Sequence, residues 1–311
     1  MPIKLKVWIS AFRLRTLPLA LSSILVGSAL AYSRLQTLRL SVLLLAMATA
    51  TCLQILSNLA NDYGDYQNGA DGVGRVGPPR AVQSGAILPR DMLRGIVLTS
   101  FVTLVLGIWL IINAFESLEW TYGIVFLGLG LACIVAAIRY TTGTKPYGYA
   151  GLGDLSVFVF FGLVGVLGIY FLHTKTLDWA AILPSIVVGC LSVGVLNLNN
   201  MRDIHTDLLA SKITVPVRLG FKNAKIYHNL LIFTALICYL AYLYLYLNRF
   251  EGSIYWQGLG LLVFIPLLMD LIKINAITAT PLLDPFLKRT ALLTFIFSIL
   301  FFVNSMVVNA V

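Results

Sequence analysis

Two acidic stretches interrupt an otherwise apolar chain. The first reads Asn58-Leu-Ala-Asn61-Asp62-Tyr63-Gly-Asp65-Tyr-Gln-Asn-Gly69-Ala-Asp71, and the second Asn200-Met-Arg202-Asp203-Ile-His-Thr-Asp207. On a helix Asn58, Asp62 and Asp65 fall at i, i+4 and i+7. Asn200, Asp203 and Asp207 fall at i, i+3 and i+7, so each set is predicted to share one face. A carboxylate beside hydrocarbon costs about 2.5–3.5 kcal/mol on insertion scales, so it marks a function. Clustered hard oxygen donors suit a divalent cation, and Mg²⁺ in particular is usually shared with a phosphorylated substrate. Without a cation, facing carboxylates would repel and take up protons. The candidate metal ligands are therefore Asn58, Asp62, Asp65, Asn200, Asp203 and Asp207, with Asp71 completing the acidic set. Arg75, Arg80, Lys145, Arg202 and Lys212 are the cations suited to a diphosphate. One such stretch alone reads equally as a polar helix end, since Asn and Asp begin turns. Two, matched in spacing and each led by Asn, read as a site.

The elements that must hold these stretches are membrane spans. The 311 residues are 59% hydrophobic and 11% charged, against roughly 25% charged in a soluble domain. Apolar runs near the ~20 residues that cross a bilayer recur at about 16–32, 40–61, 96–113, 121–138, 154–172, 180–200, 228–247, 254–272 and 290–309. The prediction is an all-α, polytopic membrane protein with nine transmembrane helices, forming a single domain over 1–311. Its long loops lie at about 62–95 and 201–227. The N-terminal run contains Pro18 and is long for a signal peptide, so it reads as the first span. Placing the N-terminus inside leaves only Arg34, Arg39, Lys175 and Arg249 of the 22 basic residues outside, as the positive-inside rule demands. Both acidic stretches then face the cytoplasm. The net charge of +9 is accounted for by inner loops meeting anionic lipid, with no role for nucleic acid. Cys52, Cys133, Cys190 and Cys238 sit within apolar runs without metal spacing and read as small hydrophobes.

Asn58-x-x-Asn61-Asp62-Tyr63-x-Asp65, followed by Gly77-Pro78-Pro79-Arg80-Ala-Val-Gln-Ser-Gly85, resembles the UbiA superfamily of intramembrane prenyltransferases. The resemblance is greatest to its 1,4-dihydroxy-2-naphthoate branch. Asn199 to Asp207, Thr214-Val-Pro-Val-Arg218-Leu-Gly220, Tyr147-Gly-Tyr149-Ala-Gly151-Leu-Gly153-Asp154 and Arg15-Thr-Leu-Pro18 carry the same likeness. Pro79 departs from it where Lys is usual, as do His205 for Glu and Ser211 for Gly. The resemblance implies a UbiA-type helical bundle in the inner membrane, with Mg²⁺ as cofactor and its active site toward the cytoplasm. The implied reaction transfers a polyprenyl chain from polyprenyl diphosphate to 1,4-dihydroxy-2-naphthoate, with decarboxylation, giving demethylmenaquinol for menaquinone biosynthesis. It also implies catalytic roles for Asp62, Asp65, Asp71, Asp203 and Asp207. Arg75, Arg80, Arg139, Lys145, Arg202 and Lys212 would hold diphosphate, and Asn61, Tyr63, Tyr140, Tyr147, Tyr149 and Asp154 would face the aromatic acid. The tail would lie among lipid-facing helices. The alternatives are another acceptor, such as 4-hydroxybenzoate or homogentisate, and a cation-coupled transporter; transporter sites lie nearer the bilayer midplane.

Overall fold

The computed structural model describes residues 5–69, 80–115, 119–247 and 258–307. A chain in hydrocarbon must satisfy its backbone groups internally, so each long apolar run closes into a helix. Among the described residues nine helices are long and apolar enough to cross a bilayer. They are Leu5–Leu35, Leu40–Gln67, Pro89–Ala114, Trp120–Arg139, Gly153–Thr174, Trp179–Arg202, Val215–Leu245, Gly258–Ala276 and Thr280–Val307. No strand occurs among the described residues. The sixth span is the hub: 67% of its apolar window is buried, against 6% for the fourth. It packs on the fifth, seventh and ninth spans, while the ninth also packs on the first and the second on the third.

The helices run further at their acidic ends than hydropathy alone indicates. The second continues to Gln67 and so carries Asp62 and Asp65 as helical residues. The third begins at Pro89, where a missing N–H is harmless. The seventh begins at Val215, not near 228, with a short helical turn that Gly220, non-helical at φ 75° and ψ 160°, separates by a kink from the long helix that follows. The second acidic stretch departs from the expected single face. Its helix ends at Arg202, Asp203 leaves helical geometry (φ −94°, ψ 10°), and a short helix Ile204–Leu209 carries Asp207 separately.

Two irregularities shape the interior. The first span breaks at Arg13, held at φ 51°, where the Thr16 amide and hydroxyl both donate to the Arg13 carbonyl at 2.8 and 2.9 Å. In the fifth span, Phe158–Leu167 is π-helical, a wide winding that is rare and frequent at functional sites. The Ser23 hydroxyl donates to the Phe161 carbonyl at 2.6 Å. Phe160, Phe161 and Val164 of this segment face a cavity of about 660 Å³. That cavity reaches from Asp65 to Ala46 on the second span, roughly 28 Å of axial rise at about 1.5 Å per residue.

Candidate active site

At its acidic end the cavity is bordered by Asn58, Asn61, Asp65, Arg80, Asn200 and Lys212. Asp65 is 2% exposed. Its Oδ1 accepts from the Tyr149 hydroxyl at 2.8 Å and its Oδ2 from the Arg80 guanidinium. Asp62, equally buried, accepts the Ala81 and Val82 amides on its two oxygens at 2.9 and 3.1 Å. It thereby anchors the turn that aims Arg80. Asn58 donates to the Phe12 carbonyl (2.8 Å) and the Thr16 hydroxyl (3.0 Å), clamping the elbow of the first span.

The turn after the fourth span closes on this helix end. The Thr141 hydroxyl donates to the Ala60 carbonyl and to Asn61 Oδ1 at 3.0 and 3.1 Å, and Asn68 donates to the Thr141 carbonyl at 2.9 Å. Gly64 permits the approach, since a Cβ there would lie 2.5 Å from the Thr141 carbonyl oxygen. The same connection continues into Tyr147–Ala150 and joins the second acidic stretch. Ile213 donates its amide to the Tyr149 carbonyl at 2.9 Å, and Arg218 donates to the Ala150 carbonyl at 2.6 Å. Gly151 turns there at φ 78°, with Arg218 occupying the space a Cβ would need.

In the second stretch Arg202, 3% exposed, is spent on protein partners. It forks onto both oxygens of Asp203 at 2.8 and 2.7 Å, and reaches Asp284 at 2.7 Å and Asn199 at 2.9 Å. Asp284 in turn pairs with Lys288 at 2.6 Å, and Lys288 reaches the cavity wall. Asp207 is 6% exposed; its Oδ1 lies 3.4 Å from Lys212 Nζ, while its Oδ2 has no hydrogen-bond partner. Lys212 also stands 5.6 Å over the Tyr149 ring. Burial pushes the Asp207 carboxyl up to about 6; Lys212 opposes this, while Asp203 and Asp65 add to it. Burial alone would lower Lys212, but Asp65, Asp207 and Asp203 together hold it above its ordinary value. Lys212 thus links the two acidic stretches, 3.4 Å from Asp207 on one side and over the ring of Tyr149, which bonds Asp65, on the other.

The remaining sequence-predicted residues divide. Tyr140 and Tyr147 border the cavity and meet edge to face at 5.3 Å, with the Tyr147 hydroxyl donating to the Ala136 carbonyl at 2.8 Å. Burial, then Asp154, raises the Tyr140 phenol above its ordinary value, so it stays a neutral hydroxyl. Asp154 is buried beside Tyr227. Tyr63 instead packs on the Leu56–Met92 core cluster, accepting from Gln67 at 3.0 Å. Arg139 is exposed and folds over its own turn at Gly143, and Lys145 is exposed beside it. Asp71 and Arg75 lie outside the described residues. Gln54, which donates to the Thr16 hydroxyl at 3.3 Å and to Asn58 Oδ1 at 3.4 Å, Asp284 and Lys288 were not anticipated, and Asn199 was quoted as part of a motif without a role. Gln54 lies four residues before Asn58, so extending the stripe by one turn would have found it. Asp284 and Lys288 carry the ordinary i, i+4 signature of a surface pair, which hides their role.

Among the described residues no three His, Cys, Asp or Glu side chains converge to enclose a metal ion by themselves. The donor set still fits Mg²⁺, which keeps waters and substrate phosphates in its shell and needs few carboxylates. The buried, unpartnered Oδ2 of Asp207 is the atom that most needs such a partner.

The sequence profile described as the UbiA prenyltransferase family matches residues 20–292. The chain is 43% identical to 1,4-dihydroxy-2-naphthoate octaprenyltransferase of Haemophilus influenzae, covering 96% of this chain and 95% of that one. It is also 43% identical to the enzyme of the same name from Escherichia coli, over 93% and 92% of the two chains. A UbiA homolog from Aeropyrum pernix, solved without ligand, shares the fold with a TM-score of 0.67 at 17% identity, over 95% of this chain and 98% of that one. A UbiA homolog from Archaeoglobus fulgidus, solved bound to DMAPP and Mg²⁺, does so at 0.59 and 16%, over 96% and 99%.

Proposed function

The chain belongs to the UbiA prenyltransferase family and is an integral membrane prenyltransferase, and from that premise we propose its reaction. A polyprenyl chain passes from its diphosphate to 1,4-dihydroxy-2-naphthoate. The new C–C bond forms at the ring carbon bearing the carboxylate, diphosphate and CO₂ leave, and the product is demethylmenaquinol. The observation that supports this reading is that Asp65 and Lys212 line the mouth of a deep cavity whose remaining wall is largely apolar, with Asp207 3.4 Å behind Lys212. Two relatives carry the name of this activity. The inner membrane is the proposed location, with this mouth toward the cytoplasm.

Asp62, Asp65, Asp203 and Asp207, assisted by Asn58 and Asn200, are the residues that would hold Mg²⁺. When bound, the ion would screen the diphosphate and make it a better leaving group. Arg80 and Lys212 supply fixed positive charge where charge builds on the leaving oxygens. Arg202, saturated by Asp203 and Asp284, positions the second stretch instead of meeting phosphate. The rings of Tyr140 and Tyr147 present π-faces to the cationic allylic carbon, and the apolar wall keeps water from capturing it. The electron-rich naphthoate ring is a sufficient nucleophile, so no dedicated base is assigned.

The test is Mg²⁺-dependent prenylation of 1,4-dihydroxy-2-naphthoate by the purified protein, with Asp65→Ala and Asp207→Ala beside it. Both variants insert and lose nearly all turnover. Retention of more than about a tenth of the rate would remove these carboxylates from the metal site, since a directly bound charged group is worth at least this much. Prenylation of 4-hydroxybenzoate alone would transfer the acceptor assignment to that acid.

A further inference from the structure

Resting on the reading of the cavity as the donor's tail chamber, we propose that Phe126 sets the longest prenyl tail the enzyme uses, with Gly107 keeping the approach to it open. The cavity ends among Leu110 and Ile111 of the third span, Phe126 of the fourth and Leu172 of the fifth. These lie toward the helix ends opposite the acidic mouth. Behind Phe126 stands a set of packed rings. Phe126 stacks on Phe171 at 5.6 Å, Phe115 meets Phe126 at 5.5 Å, and Tyr122 meets Phe171 edge-on at 5.1 Å. Of these four rings Phe126 alone borders the cavity. The Lys175 ammonium sits 4.4 Å over Phe115 and donates to the Ala114 and Leu172 carbonyls, fastening the ends of the third and fifth spans around the ring set.

Rings with mutual edge and face contacts resist displacement more than isolated aliphatic side chains do. A tail longer than the chamber must therefore fold back or dislodge Phe126. Gly107 borders the same cavity, and a Cβ added there meets no atom within 4 Å. A larger side chain at 107 would enter open space and not a packed wall.

The test uses full-length protein in detergent with Mg²⁺ and a series of all-trans donors from farnesyl through geranylgeranyl to the longest polyprenyl diphosphates that stay dispersed. Two readouts are taken for each donor: kcat/KM with 1,4-dihydroxy-2-naphthoate, and the shift in melting temperature caused by donor alone. Phe126→Ala raises the long-to-short kcat/KM ratio about tenfold, and Gly107→Leu lowers it about tenfold, the scale on which apolar pockets discriminate. The melting shifts move in the same directions. Where either variant fails to melt cooperatively, Phe126→Leu or Gly107→Val takes its place. Identical length profiles in wild type and variants overturn the proposal and mean that the tail leaves sideways into lipid. Absent turnover with intact, variant-dependent melting profiles overturns the acceptor assignment and leaves the length limit standing.

Discussion

The Tyr149 hydroxyl donates to Asp65 Oδ1 at 2.8 Å, joining the connection after the fourth span to the acidic end of the second. Lys212, standing over the same ring, brings the second acidic stretch into the contact. Tyr149 thus orients a carboxylate, where the sequence alone placed it against the aromatic acid. Tyr149→Phe keeps the ring and removes one hydrogen bond to a charged group, worth about 1.5–3 kcal/mol. The expected result is a loss of roughly tenfold or more in kcat/KM for the diphosphate, with little change in melting temperature. Steady-state kinetics in detergent measure it, and an unchanged KM and kcat would mean that the bond is broken before turnover.

Proton competition at Asp207 follows from its buried carboxyl, pushed up to about 6 by burial against about 3.9 for an ordinary aspartate. A raised value means the group is protonated below about pH 6, and an ion that binds the carboxylate must displace that proton. Apparent Mg²⁺ affinity is therefore level above about pH 7 and weakens by up to about tenfold per unit below pH 6. Titrating activity against Mg²⁺ at pH 5, 6, 7 and 8 reads this directly. Asp207→Asn removes the dependence together with most of the activity.

Replacing Arg202 tests position against phosphate binding. Its guanidinium lies between Asp203 and Asp284, so Arg202→Gln strands charge in a buried setting. The expected penalty is about 3–5 kcal/mol, seen as a lower melting temperature in the absence of any substrate. Arg202→Lys restores charge but not the planar fork and recovers only part of the loss. A variant of unaltered stability with a raised KM for diphosphate would instead assign Arg202 to the substrate.

Gly64→Ala separates helix propensity from packing. In an exposed helix the change would stabilise by about 1 kcal/mol. Here the new Cβ would lie 2.5 Å from the Thr141 carbonyl oxygen, and overpacking of this kind typically costs about 1–3 kcal/mol. The overlap wins, so the variant melts lower and the turn bearing Tyr140 and Tyr149 moves off the acidic helix end. Chemical unfolding and kcat/KM report the two effects separately, and a stabilised variant would reverse the argument.

The two acidic stretches and the nine apolar runs were legible because both are local properties. Hydropathy over about twenty residues decides whether a segment enters hydrocarbon, and 3.6-residue periodicity puts Asn58, Asp62 and Asp65 on one face of the second helix. The kink at Gly220 and the break at Asp203 were less legible, because spacing does not state where a helix stops. What Asp65 touches was not legible at all. Arg80 and Tyr149 come from two different connections, and Arg202 finds Asp284 82 residues further along the chain. A side chain's type limits its possible partners, but the partner it obtains depends on which helix ends the packing brings together. The sequence therefore determined which groups stand at the acidic end of the bundle. Only the tertiary structure decided which of them orient one another and which remain available to a substrate, because that choice is made by contacts between spans and not along them.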